Sequence, residues 1–98
     1  MNIKITEKAK EALLAQVDTS KGNDVVRIVL NGFGWGGPTF GIVLDIQKKN
    51  DEVLEEGQLI VVVENDLINQ FKGFTIDYMN SWLRKGFVVT SHLGGSTC

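Results

Sequence analysis

The sequence contains very little cysteine and proline, and it lacks any long hydrophobic run. Cys98 is the only thiol among 98 residues, which excludes an intramolecular disulfide and a metal site built from the cysteines of one chain. The longest apolar run, residues 59–63, has the length of a strand and is far short of the ~20 residues that a membrane helix needs. We therefore expect no membrane partner.

The chain also lacks a surplus of charge of either sign. Its net charge is -2, so no basic surface is available for a polyanion, and we expect no nucleic-acid partner. Charged residues stand within the first few positions, and the apolar segment of a secretory signal is absent there, which predicts a cytoplasmic location. The length and the 43% hydrophobic content are those of one ordinary globular domain covering residues 1–98.

The hydrophobic pattern predicts an α+β, mostly-β fold. A helix capped by Thr6 should run to about Asp18, because apolar residues recur there at helical spacing. A second, short helix should open at residues 64–66 and end at Gly73. The predicted strands cover residues 25–30, 40–46, 53–54, 59–63, 74–78 and 87–89. In the strand 40–46, period-two alternation predicts one buried face. We expect a small β-sandwich or rolled sheet with an N-terminal helix, one internal helix and a flexible tail at residues 91–98.

A glycine-rich segment separates two of these strands. Gly32, Gly34 and Gly37 match the GxGxxG spacing of dinucleotide-binding loops. That loop requires a helix N-terminus after it, and here a strand is predicted instead, so a tight β-connection is the better interpretation. Trp35 lies between the glycines, either as an exposed contact for a partner protein or with its ring folded onto the core.

The residues able to do chemistry are few. His92 and Cys98 are both potential ligands for borderline or soft metals; the alternatives are a solvated imidazole and an inert terminal thiol. The acidic residues around a predicted turn are interpreted as a solvated turn and not as an acid–base pair; they are Asp51, Glu52, Glu55 and Glu56. One histidine and one terminal cysteine form no catalytic arrangement, so we do not expect an enzyme.

Taken together, the segments resemble the HesB/IscA (A-type carrier) family over essentially the whole chain. The resemblance rests on the order and spacing of several pieces: the helix after Ile3-x-Ile5-Thr6, Val26-Arg27-Ile28, the glycine loop, Asp51-x-Val53-x-Glu55-x-x-Gly57, Val61-Val62-Val63, the short helix to Phe71, Ile76-Asp77-Tyr78, and Gly86-Phe87-Val88-Val89-Thr90 before a small-residue tail. It implies a non-enzymatic iron–sulfur cluster assembly or carrier protein. Such a protein forms a homo-oligomer and passes iron or a cluster to iron–sulfur apo-proteins or works with assembly proteins.

The family's ligands are three cysteines, one in the glycine loop and a Cys-x-Cys pair in the tail. Carried onto this sequence, the loop cysteine falls at Trp35 and the tail pair at Ser96 and Cys98. Only Cys98 matches. Thiolates are the ligands that such clusters require, so the resemblance predicts that this sequence binds iron or a cluster weakly or not at all.

The segment from Gly32 to Pro38 is similar to a HesB-like subgroup that carries cysteine or selenocysteine between these glycines. The selenocysteine codon is one base away from the tryptophan codon. We therefore hypothesise that Trp35 stands where the natural protein has selenocysteine or cysteine. Two other functions remain open at this point: a metal-free protein-interaction module of the same fold, and a thiol or selenol redox protein that pairs position 35 with Cys98.

Overall fold

The computed structural model describes residues 2–16, 25–34, 37–82 and 85–93. Within these ranges the fold is mostly β, with two helices. In chain order the elements are β1 (Ile3–Ile5), α1 (Glu7–Gln16), β2 (Val25–Gly34), β3 (Gly37–Asp45), β4 (Asp51–Glu56), β5 (Leu59–Glu64), α2 (Asn65–Phe71), β6 (Phe74–Asn80) and β7 (Lys85–Ser91). The predicted fold class is confirmed.

The strands form one mixed seven-stranded sheet in the order β1-β6-β7-β3-β2-β5-β4. The pairs β1–β6 and β2–β5 are parallel, and the remaining neighbours are antiparallel. Each parallel pair is connected in sequence through other elements, as parallel strands require. Neither helix in the described ranges is long and apolar enough to cross a membrane.

Helix α1 begins where the sequence predicts. The Thr6 hydroxyl accepts a hydrogen bond from the backbone N–H of Ala9 at 3.2 Å, which satisfies one of the unpaired donors of the first turn. The same hydroxyl donates to Asp77 on β6 at 2.9 Å. Ala9 and Leu13 are buried, so the apolar stripe of the helix faces the sheet and the cap also fixes the helix to it.

The core lies between the sheet and the two helices. Its buried members are Ile3, Ala9, Leu13, Val26, Ile28, Leu54, Leu59, Val61, Val63, Ile68, Phe71, Phe74, Ile76 and Val89. Three aromatic rings form its end nearest α2: the Phe40 ring lies edge-on to Phe71 and Phe74 at centroid distances of 4.9 Å each. Such edge-to-face pairs add to the free energy gained from burial alone.

Two predictions about β3 and its surroundings differ from the structure. The hairpin β2–β3 is longer than expected, because the glycine segment on both sides of residues 35–36 is itself strand. The predicted buried face of residues 40–46 is buried only in part: Phe40 and Ile42 pack against the core, whereas Leu44 is 56% and Ile46 52% exposed. The alternation is present, but those two side chains lie beyond the packed layer.

Two smaller differences concern chain ends and caps. Strand β1, which was not predicted, is only three residues long and pairs with β6, a partner more than 70 residues away in the sequence. Helix α2 ends with Lys72 in the left-handed conformation (φ 69°), and its N–H bonds to the Ile68 carbonyl; Gly73 follows with φ 125°. The predicted glycine stop is correct in place, although a lysine takes the capping conformation.

Candidate functional site

The hairpin β2–β3 leads directly to the position where the family resemblance places a ligand. Its pairing continues to Gly34 opposite Gly37, so residues 35–36 connect the two strands at the tip. Trp35 itself lies outside the described residues. Gly37 has a φ of 105°, a conformation that favours glycine, which explains why a glycine follows the loop.

A β-bulge interrupts the hairpin near this tip. Leu30 pairs with Phe40, but the next pair is Gly32 with Thr39, which leaves Asn31 as the extra residue. The Asn31 side chain lies against Gly41, where an added β-carbon would come within 2.5 Å of the Asn31 amide nitrogen. Gly41 therefore leaves the space that the bulge needs.

Strand β7 brings the C-terminal part of the chain to the same end of the sheet. It runs antiparallel to β3, with Val89 opposite Phe40. Its C-terminal end therefore lies beside the start of β3, where the hairpin tip is. Residues 94–98 follow in the sequence after this end of β7. They contain Ser96 and Cys98 and lie outside the described residues. The described residues next to the two ligand-bearing segments of the resemblance, Gly34 and Gly37 in the hairpin and the end of β7, therefore lie toward one end of the sheet.

The residues after β7 are anchored to the loop between α2 and β6. The N–H of His92 donates to the Gly73 carbonyl at 2.8 Å, and the N–H of Leu93 to the Phe71 carbonyl at 2.9 Å. The His92 ring also shares a 2.8 Å hydrogen bond between Nε2 and the Thr75 hydroxyl. Ser91 is part of β7, so residues 91–93, predicted to belong to a flexible tail, are hydrogen-bonded to the rest of the fold; residues 94–98 lie outside the described residues.

Gly73 makes this anchoring possible. An added β-carbon there would collide with the Asn2 carbonyl oxygen and come within 2.5 Å of His92 Nδ1. Sequence reasoning placed Gly73 only as a helix stop and His92 only as a potential ligand or a solvated ring. Their contact joins residues distant in sequence, and no local pattern indicates it.

The opposite end of the hairpin holds a buried charge cluster that sequence analysis missed. Arg27 is 6% exposed. Its Nη1 and Nη2 donate to the two carboxylate oxygens of Asp51 at 2.7 and 2.8 Å, and its Nε donates to Asp45 at 2.7 Å. The interpretation of Asp51 as part of a solvated turn was wrong, since its side chain is 1% exposed. The signal was one arginine inside an apolar strand, which required a partner.

Hydrogen bonding within this cluster favours the charged form of each of its three side chains. The Arg27 guanidinium lowers the pKa of Asp51, and the bond to Asp51 raises the pKa of Arg27. The pKa of Asp45 is lowered first by the backbone N–H of Ile46 and then by Arg27. All three groups are therefore charged at neutral pH, and none is suited to exchange protons as an acid–base catalyst. The cluster fixes β2, the end of β3 and the start of β4 together.

The donors that this chain offers do not complete a ligand set for an iron–sulfur cluster. The sequence has one thiol, Cys98, and a tryptophan side chain has no lone pair to give to a metal. Among the described residues no group of three or more histidine, cysteine, aspartate or glutamate side chains could hold a metal ion. The predicted site at Trp35, Ser96 and Cys98 falls on residues that the structure does not describe.

Comparison with proteins of known function gives one consistent group of relatives, although no protein-family model matches. The chain is 28% identical over 91 residues to the mitochondrial iron-sulfur cluster assembly 2 homologs of Homo sapiens and Mus musculus. The match covers 92% of this chain and 57% of each relative, so the chain spans little more than half the length of the curated relatives.

Solved structures show the same fold. IscA with a [2Fe-2S] cluster superposes with a TM-score of 0.72 at 16% identity, covering 98% of this chain and 88% of that chain. Escherichia coli SufA, involved in the biosynthesis of iron-sulfur clusters, gives 0.69 at 21% identity and covers 96% and 89%. A protein from Aquifex aeolicus gives 0.62 at 24% identity, covering 93% and 92%. The fold implied by the resemblance to the HesB/IscA type is therefore confirmed.

Proposed function

We propose that this chain is an iron–sulfur cluster assembly or carrier protein that holds a cluster as cargo and passes it to apo-proteins, without enzymatic turnover. The observation that carries the proposal is the antiparallel pairing of β7 with β3 at Val89 and Phe40. This pairing directs the tip of the hairpin and the start of the tail to one end of the sheet. IscA with its [2Fe-2S] cluster has the same fold, and the named activity of the curated relatives agrees with this function.

Within this proposal the cargo positions are residue 35, Ser96 and Cys98. The thiol count of one is the main obstacle, because cluster irons require thiolate or comparable soft ligands. We propose that Trp35 occupies the place of a cysteine or selenocysteine, as in the HesB-like subgroup. The codon at position 35 in the natural gene tests this directly: a native tryptophan codon would exclude it.

The function is tested by anaerobic reconstitution with ferrous iron and sulfide, followed by visible absorption and iron counting. Trp35→Cys restores a thiolate at the loop position, and we expect it to bind at least severalfold more iron than the parent chain and to show a charge-transfer chromophore. Trp82→Cys is the matched control. It also replaces a tryptophan with a thiol, but at a position that is 89% exposed and lies between β6 and β7, away from the hairpin tip.

The pattern across the three proteins decides the outcome. Gain in Trp35→Cys alone supports a cargo site at the loop. Equal gain in both variants would show that iron binds wherever a thiol is added, and no gain in either would contradict the carrier function. In that last case the fold would serve protein contacts instead. The thiol or selenol redox function would pair residue 35 with Cys98, both of which lie outside the described residues, and the cytoplasmic location stays a prediction.

A further inference from the structure

The bulge in the β2–β3 hairpin exposes a chemically reactive dipeptide. Asn31, the extra residue of the bulge, is followed directly by Gly32, and Asn31 is exposed to solvent. Of the seven asparagines in the sequence, it is the one that precedes a glycine. The side-chain amide of an asparagine is open to attack by the backbone nitrogen of the next residue, and glycine, which has no β-carbon, hinders that attack least.

The attack requires the backbone to rotate between the two residues, because an extended strand holds the asparagine side chain away from the next nitrogen. Leu30 pairs with Phe40 and Gly32 with Thr39, so Asn31 is skipped in the pairing with β3. A bulge leaves its extra residue outside the ladder, and rotation at Asn31 therefore breaks no pair of its own. Gly32 has a φ of 151° and, as a glycine, can follow the rotation at little cost.

The surroundings of the Asn31 side chain leave room for the reaction. Its amide lies over Gly41, where an added β-carbon would come within 2.5 Å of the amide nitrogen and 3.2 Å of Cγ. Because Gly41 has no side chain, none projects from that position against the amide. The Thr39 hydroxyl donates to the carbonyl oxygen of Gly32 at 3.3 Å. That bond does not engage the Gly32 nitrogen, which is the attacking atom.

We propose that Asn31 is a site of spontaneous deamidation in the folded protein. The Gly32 nitrogen loses its proton to base in the solvent and bonds to Asn31 Cγ, and the bond from Cγ to the side-chain nitrogen breaks and releases ammonia. Water then opens the cyclic imide at either of its carbonyl carbons. One product is aspartate with an unchanged main chain. The other is isoaspartate, in which the main chain runs through the side chain and is longer by one carbon.

Either product adds a negative charge to a segment that has none, since residues 28–44 contain no charged residue. Leu30 pairs with Phe40, and Phe33 pairs with Pro38, two residues along β3, so the bulge brings Leu30 and Phe33 to one side of the hairpin. These two side chains are 40% and 78% exposed. Deamidation thus places a carboxylate between two exposed apolar side chains, where it opposes apolar contacts.

The test is incubation of the metal-free chain in warm, mildly alkaline buffer, both folded and unfolded in guanidinium chloride, followed by peptide mapping with mass spectrometry. Deamidation raises the mass of a peptide by about 1 Da, and an isoaspartate assay separates the two products. Asn50 is the internal control. It is also exposed, but the N–H of the next residue, Asp51, donates to the Lys48 carbonyl at 3.3 Å, which keeps the attacking nitrogen protonated.

We expect Asn31 to react in the folded chain at a rate within about tenfold of its rate in the unfolded chain, whereas folding should slow Asn50 much more. The rate at Asn31 should rise with pH, because the attacking nitrogen must lose its proton. Asn31→Gln should abolish the mass change in this peptide, since the longer side chain would have to close a larger ring, and should leave the other peptides as in the parent chain.

An Asn31 that reacts only in the unfolded chain would overturn the proposal. So would a rate at Asn31 that does not depend on pH, or folding that slows Asn31 and Asn50 equally. Circular dichroism during the incubation checks that the native sample stays folded. Because no iron is added, the result is independent of the proposed cluster binding.

Discussion

The two ends of the β2–β3 hairpin differ in almost every physical respect. At its base, Arg27 is buried and bonded to Asp45 and Asp51. At its tip there is no charge, glycines recur, and Phe33 projects into solvent. One hairpin thus has a base whose buried arginine is hydrogen-bonded within the chain and a tip whose phenylalanine side chain is exposed.

This difference shows how the fold separates stability from binding. At the base, strand β2 lies between β3 and β5 inside the sheet, where a buried charge must find partners within the chain. The tip extends past β5, which pairs with β2 at Val26 and Arg27. Side chains such as Leu30 and Phe33 do not pack in the core there, so they are open to contacts with other molecules.

The largest effect is expected at the base. Arg27→Ala leaves the buried Asp51 carboxylate without its partner, and we expect a loss of about 3–5 kcal/mol in the free energy of unfolding, measured by urea denaturation. Replacing all three charged groups together, as Arg27→Met with Asp45→Asn and Asp51→Asn, should recover much of this loss, because no unpaired charge remains.

The partly exposed ion pair between Lys10 and Glu56, 3.7 Å apart, provides the control. Lys10→Ala should cost no more than about 1 kcal/mol, because solvent screens a pair of this kind. An equal loss in Arg27→Ala and Lys10→Ala would contradict the distinction between the bonded base and the rest of the surface.

Lowering the pH is expected to have an intermediate effect on the free energy of unfolding. The folded protein holds the pKa of Asp51 and Asp45 below the ordinary value of 3.8. A carboxylate with a depressed pKa stabilises the fold fully above its unfolded pKa, and this contribution is lost as pH falls through the folded value. Stability should therefore decline below about pH 4, and Asp51→Asn should decline less steeply over the same range. Parallel curves for the two proteins would show that Asp51 does not contribute.

The smallest effect on stability is expected at the tip. Phe33→Ser removes a side chain that is 78% exposed, so the free energy of unfolding should change by less than about 0.5 kcal/mol. A loss of more than 2 kcal/mol would mean that Phe33 packs within its own chain, and the contrast between base and tip would fail.

The elements that could be predicted are those whose signals are local. Thr6 caps α1 through a residue three positions away, and the stop of α2 at Gly73 follows from adjacent backbone conformation. The strands around Gly57 were predicted because their apolar residues lie close together in the sequence. The features missed were long-range: the partners of Arg27, the pairing of β1 with β6, and the contact of His92 with Gly73 each join distant segments.

The sequence by itself determined the helices, most strands, the supply of one thiol and the absence of charge between Arg27 and Asp45. These follow from residue types and their spacing, which act over a few neighbouring positions. Only the tertiary structure decided that the bulge at Asn31 places Leu30 and Phe33 on one face, and that β7 returns the tail to the hairpin tip. Both depend on strand pairing between separate segments, where register and hydrogen bonding select one partner among many that the same pattern would allow.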